Sequence, residues 1–90
     1  MADITIQWEE VNCGIKPIGV WTGRLIEPVR TVHFVKIVQR LDGGYVLWFH
    51  PKGMAVGDPY SAHHYGFGIE KPKAHAERWA RAHWKTIPRA

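Results

Sequence analysis

The chain has 90 residues, with 12 Lys and Arg against 8 Asp and Glu and a formal net charge of +4 at pH 7. This length allows one domain, residues 1–90, and leaves little material to enclose a water-excluding catalytic pocket. The single cysteine, Cys13, excludes an intramolecular disulfide and is typical of a reducing compartment. No apolar run reaches membrane-spanning length, and residues 1–10 lack the pattern of a secretion signal, so we expect a cytoplasmic protein with no membrane partner.

Two strands are predicted in the first third of the chain. Residues 3–11 alternate, with Ile4, Ile6 and Trp8 on one side and polar residues on the other, which is typical of a half-buried strand. Residues 18–26 form a second candidate, in which Gly23 predicts a bulge or a close backbone approach. Its alternation places Val20, Thr22, Arg24 and Ile26 on one face, and Trp21, Gly23 and Leu25 on the other.

Residues 31–51 predict the central element of the fold, a hairpin of two strands interrupted by Asp42-Gly43-Gly44. A two-residue turn would pair Asp42 with Tyr45, whereas a three-residue loop would pair Leu41 with Tyr45. We favour the three-residue loop, because it gathers the apolar side chains on one face. That face then holds Val35, Ile37, Leu41, Tyr45, Leu47 and Phe49, and the other holds Phe34, Lys36, Val38, Arg40, Val46, Trp48 and His50.

The segment after the hairpin predicts a loop and then a short strand. Residues 51–61 contain two prolines and two glycines, which favour an irregular loop. Residues 62–69 place Tyr65, Phe67 and Ile69 at a spacing of two, which indicates a final strand. The glycines between them leave bare backbone on the other side, where the protein's own helix is expected to approach.

Residues 71–87 predict a helix with Pro72 in its first turn and Pro88 after its end. A stripe at three-and-four spacing is expected to be buried, and it comprises Ala76, Trp79, Ala80, His83 and Ile87. The helix should cover the apolar face of the hairpin, burying Val35, Ile37, Leu41, Leu47 and Phe49.

The order of these elements predicts an α+β fold: an antiparallel sheet of four or five strands with one C-terminal helix packed on a face. The helix follows the strands rather than alternating with them, which argues against a doubly wound fold. A sheet curled into a small barrel with an appended helix is the alternative.

Six histidines are present, but no paired Cys or His spacing typical of structural zinc occurs, so we expect no metal and no cofactor. The carboxylates are few and dispersed. A pair such as Asp58 with His63 or His64 would depend on the fold to bring its members together. We therefore expect a protein that is not an enzyme.

The functional prediction rests on positive charge combined with aromatic side chains. We expect a binding module that contacts nucleic acid through one sheet face and the basic C-terminal helix, since aromatic rings stack on bases and cations contact phosphates. The predicted contact residues are Phe34 and Trp48 for bases, Lys36, Arg40 and His50 for phosphates, and Arg78, Arg81 and Lys85 on the helix.

Two competing interpretations remain open. In the first, the same face is a second core layer, in which Phe34, Val38, Val46 and Trp48 pack against Trp8 and Trp21. In the second, an aromatic patch rimmed by cations binds another protein, so that the chain is an accessory or inhibitor of the kind encoded by phages and other mobile elements.

Overall fold

The computed structural model describes residues 3–11, 19–56 and 61–90. It confirms the α+β class: a five-stranded antiparallel sheet in the order β1-β2-β3-β4-β5 is followed by one α-helix. The sheet is not closed, so the barrel alternative is wrong. The strands are β1 Thr5–Val11, β2 Val20–Glu27, β3 Val35–Gln39, β4 Tyr45–Phe49 and β5 Ser61–Tyr65; the helix α1 is Glu70–His83, and 3-10 turns occupy Met54–Val56 and Trp84–Thr86.

Strand alternation divides the sheet into two faces, and α1 packs on one of them, which we call the helix face. Leu25, Val35, Ile37 and Leu47 are fully buried there, as predicted for the last three. Burying each such side chain contributes about 1.5–3 kcal/mol. The helix face also carries Ile6, Trp8, Trp21, Gly23, Tyr45, Phe49, His63 and Tyr65.

Gly23 makes a close approach at the centre of the helix face. It pairs with Trp8 on β1 and with Val35 on β3. A Cβ atom at this position would lie 2.8 Å from Val35 Cγ1 and 3.0 Å from the Trp8 ring, closer than packed carbon atoms tolerate. The missing side chain therefore admits Trp8 to the core, so the groups that approach Gly23 closely are side chains rather than another backbone.

The register of the hairpin differs from the prediction by two residues. Gln39, not Leu41, pairs with Tyr45, so the loop contains five residues, 40–44. The shift is an even number, and every strand residue therefore keeps the face predicted for it. Leu41 is the exception, because it lies in the loop and is 89% exposed instead of buried under the helix.

The loop's own hydrogen bonds explain why the ladder stops early. The Arg40 N–H donates to the Gly44 carbonyl oxygen at 2.7 Å, and the Gly43 N–H donates to the Arg40 carbonyl oxygen at 3.1 Å. The Asp42 carboxylate accepts the Gly44 N–H at 2.9 Å. These bonds satisfy the backbone without another strand pair, and Gly43 supplies the positive φ of 90° that the turn requires.

Strand β5 is shorter than predicted, because it ends at Tyr65 instead of residue 69. Phe67 is consequently 83% exposed rather than facing the core. Ile69 reaches the core after Gly68, whose φ of 93° turns the chain into the helix.

Helix α1 buries Pro72, Ala76 and Ala80 against the sheet, and Ile87 is buried after the following 3-10 turn. The prediction for His83 was wrong, because its side chain is exposed and stacks on Trp79 with ring centres 4.6 Å apart. No helix in the described ranges is long and apolar enough to cross a membrane.

Trp79 packs the helix against the sheet through aromatic contacts. Its ring lies 5.7 Å from the Phe34 ring, nearly parallel to it, and 5.0 Å from the Phe49 ring. Both partners are buried. Offset aromatic pairs of this kind add about 0.5–1.5 kcal/mol each to the burial of apolar area.

Trp79→Ala should therefore lower the free energy of unfolding by about 3 kcal/mol, the lower end for a truncated core aromatic since Trp79 is only partly buried. Urea denaturation measures this loss. The matched aromatic control is Phe67→Ala, which should change stability by no more than about 0.5 kcal/mol. Equal stabilities for the two variants would be incompatible with this packing of the helix.

Gly43→Ala should destabilise the protein by about 1–2 kcal/mol, because an L-residue at positive φ strains the backbone. A Cβ atom there would also lie 3.2 Å from the Phe67 ring. Gly66→Ala is the control, since no atom lies within 4 Å of a Cβ atom built at that position. Thermal denaturation of both variants tests the five-residue loop, and an unaffected Gly43→Ala variant would rule that loop out.

Candidate functional site

The face of the sheet opposite α1, which we call the open face, has no described helix packed on it. It carries residues from all five strands, among them Gln7, Glu9, Val11, Val20, Thr22, Arg24, Ile26, Lys36, Val38, Val46, Trp48, Ala62 and His64, of which Val46 is buried. The central pair of this face is Lys36 and Trp48, which lie opposite each other on β3 and β4. Trp48 is half-buried, and the Lys36 ammonium lies 4.5 Å from the centre of its ring.

This cation–π contact contributes about 0.5–1 kcal/mol at an exposed site. It also holds a positive charge over the face of the Trp48 ring. The prediction that Lys36, Val38, Val46 and Trp48 share a face away from the helix is confirmed. A protein that binds a single-stranded nucleotide uses the same two groups, a cation for the phosphate and an aromatic ring for the base.

The other cations of the open face are partly neutralised by carboxylates. An Arg24 guanidinium nitrogen lies 3.6 Å from the Glu9 carboxylate, and Arg24 also donates two hydrogen bonds to the Gln7 side-chain oxygen. Arg40 Nε lies 3.4 Å from the Asp42 carboxylate. Lys36, by contrast, forms no ion pair with any residue in the described ranges.

Two hollows lie at opposite ends of β3 beside the open face. The first has a volume of about 410 Å³, and its lining includes His33 and Lys52. Lys52 is exposed and, within the described part of the chain, makes no ion pair. The second has a volume of about 380 Å³ and is lined in part by Arg40, His64 and Phe67.

Two residues predicted to contact nucleic acid are buried instead. Phe34 is fully buried against Trp79 and cannot stack on a base from the open face. Phe34 lies just before β3 begins at Val35, where strand alternation does not yet apply. Phe34 and Val35 therefore both reach the core. His50 is 6% exposed and follows the end of β4, so its ring is not presented to a phosphate in solution.

The predicted helix cations lie on the far side of the molecule. Arg78, Arg81 and Lys85 are exposed on α1 and the turn after it, whereas Lys36, Arg40 and Trp48 lie on or beside the open face. Arg81 also donates to the Glu77 carboxylate at 2.6 Å, an i,i+4 pair that solvates the helix surface. The structure therefore separates the eight predicted residues and brings only Lys36, Arg40 and Trp48 together.

The interpretation of this face as a second core layer against Trp8 and Trp21 is wrong in its packing partners, although Phe34 and Val46 are buried as it expected. Trp8 and Trp21, which would have formed the other half of that layer, both lie on the helix face. They pack against the core beneath α1, and Trp48 lies on the opposite side of the sheet.

Sequence reasoning missed Lys52, His64 and Phe67 as neighbours of the site. For Arg24 the sequence carried partial information, because alternation placed it on the same face of β2 as Val20 and Thr22. Only the β2–β3 pairing shows that this face of β2 lies beside Lys36. His64 likewise becomes a neighbour of Val46 only through the β4–β5 pairing. Lys52 and Phe67 lie in connections, where no periodicity predicts position.

A cluster of titratable rings lies between β5 and α1, away from the open face. The His63 and His75 rings are 4.6 Å apart, and the Tyr65 hydroxyl hydrogen-bonds to His75 Nδ1. Burial lowers the pKa of His75, and the nearby His63 and Arg78 lower it further. Burial raises the pKa of Tyr65, which keeps its hydroxyl protonated. No group of three or more metal-binding side chains is assembled within the described ranges.

The depressed pKa of His75 predicts that folding stability falls as the solution is acidified. Below the ordinary His pKa of 6.5, the unfolded chain takes up a proton at this site before the folded protein does. The contribution of His75 to stability should therefore be greatest above pH 6.5. It should decline as the pH falls from 6.5 to the lower pKa of His75 in the folded protein. Urea denaturation at several pH values measures the decline.

In His75→Asn the free energy of unfolding should fall less on acidification than in the unchanged protein, because the titrating ring has been removed. His64→Gln is the matched control, since it removes another histidine ring that lies on the open face, outside the β5–α1 cluster. The same decline in all three proteins would show that His75 does not couple protonation to folding.

No protein-family model, curated protein or solved structure gives a significant match to this chain. The geometry of the open face is accordingly the basis for a functional proposal.

Proposed function

We propose that this protein is a small non-catalytic binding module that contacts nucleic acid through its open face. The observation that carries the proposal is the pairing of Lys36 with Trp48 at the centre of a sheet face without described helix cover. An aromatic ring stacks on the flat face of a base, and the Lys36 ammonium, which lies over the ring in the free protein, moves to the phosphate of the same strand.

The distribution of charge supports this proposal. Of the cations on and beside the open face, Arg24 and Arg40 have carboxylate partners, which hold them in place while leaving guanidinium donors for a ligand. Lys36 and Lys52 have no such partners among the described residues and supply the uncompensated charge. Polyanion binding favours charges of this kind, since phosphate contacts release condensed counterions.

The helix is not part of this interface. Its exposed cations lie on the opposite side of a molecule whose shortest extent is 20 Å, so a ligand lying flat on the open face does not reach them. Two of these cations have partners on the helix side, since Arg81 pairs with Glu77 and the Lys85 ammonium lies 5.6 Å from the centre of the Trp84 ring.

The double variant Lys36→Ala/Lys52→Ala should weaken oligonucleotide binding at least tenfold at low salt and flatten its salt dependence. Removing one phosphate interaction with a single strand reduces the slope of log K against log salt by about 0.7. The matched control is Lys71→Ala/Lys85→Ala, which removes the same charge from the helix side. Fluorescence anisotropy with a labelled oligonucleotide measures both quantities.

Equal reductions in affinity for the two double variants would mean that net charge alone attracts the nucleic acid, and the open face would not be the site. An absence of binding by the unchanged protein at low salt would reject nucleic acid as the partner. The partner would then be sought among proteins.

A further inference from the structure

Phe67 is a large aromatic side chain that folding leaves 83% exposed at one end of the open face. Resting on the proposed function, we infer that the ligand is a single strand, which follows β3 from Lys52 to the hollow beside Phe67, and that one unstacked base occupies this hollow. Phe67 takes the stacking role that the sequence had indicated for Phe34.

The position of Phe67 is set by the end of β5 and by Gly68. The chain leaves β5 at Tyr65, and Gly68 with its φ of 93° directs it into α1. Between these points Phe67 projects beside the β3–β4 loop, where a Cβ atom on Gly43 would lie 3.2 Å from its ring. The absence of that Cβ atom leaves room for the ring, and most of the ring's surface remains available for stacking.

The walls of the hollow provide polar groups next to this ring. Arg40 lies 3.2 Å from His64 Nδ1 through one guanidinium nitrogen, and its Nε faces Asp42. A guanidinium has five N–H donors, so these two interactions leave donors for a phosphate or a base edge. The hollow has a volume of about 380 Å³ and is open to solvent, so a base could enter it directly from the open face.

The cations and aromatic rings follow one line along β3. His33 and Lys52 border the first hollow, Lys36 and Trp48 form the centre, and Arg40 precedes the second hollow. Seven residue steps from His33 to Arg40 span about 23 Å of extended chain. This length accommodates several nucleotides, as single-strand sites on sheet surfaces do.

The shape of the open face selects against a duplex. Reading a duplex through its major groove requires a projecting helix or two-stranded ribbon, and α1 lies on the other side of the sheet. Bases inside a duplex are stacked on each other, so the faces of Trp48 and Phe67 meet only unpaired bases.

Anisotropy titrations with a 12-nucleotide single strand and the corresponding duplex test this inference on the full chain. The single strand should bind at least tenfold more tightly. Phe67→Ala should weaken single-strand binding about tenfold, as the loss of one stacked base does, with the salt slope unchanged because no phosphate interaction is removed. Leu41→Ala is the control, because it truncates another exposed apolar side chain outside the hollow's lining and should bind as the unchanged protein does.

Equal affinity for single strand and duplex, or unaltered binding by Phe67→Ala, would overturn the inference. The proposed function would survive either result as long as Lys36→Ala/Lys52→Ala weakened binding and the helix control did not. Absence of any oligonucleotide binding would remove the proposed function itself, so the two failures are distinguishable.

Discussion

The only α-helix of the described ranges, α1, packs on one face of the sheet, chiefly against β4. Its 14 residues extend about 21 Å. Trp79 fixes the helix by stacking on Phe34 and Phe49, and Ala76 and Ala80 let it approach closely. The large apolar side chains on that side are thereby taken from water, while the other side of the sheet receives no described helix.

The distribution of the tryptophans follows from this constraint. Trp8, Trp21, Trp79 and Trp84 pack around the core on the helix side, where they replace the larger aliphatic core that a 90-residue chain lacks. Trp48 alone among the five lies on the open face, under the Lys36 ammonium. This half-buried ring and its cation form a stabilising contact, and they are also the pair on which the proposed nucleic-acid interface rests.

Periodicity predicted the fold class and the face of most strand residues, because an even register error preserves the face. It misplaced Leu41, since the hydrogen bonds within the β3–β4 loop end the ladder earlier than a three-residue turn does. It misplaced Phe34 because alternation was extended past the start of β3. For the site, Lys36, Arg40 and Trp48 were accessible from sequence, whereas Phe67 was not, because its exposure depends on where β5 stops. The basic helix was included among the predicted contacts because charge counts carry no direction in space.

The indole N–H signals of the five tryptophans test the central claim most directly. In a two-dimensional ¹H–¹⁵N spectrum, titration with a single-stranded oligonucleotide should shift the Trp48 indole signal together with the amide signals of Lys36 and Arg40, and less so at higher salt. The indole signals of Trp8, Trp21, Trp79 and Trp84 should stay in place, because these rings lie on the helix side. Shifts centred on Trp84 and the Arg residues of α1, with Trp48 unaffected, would contradict the account and move the interface to the helix.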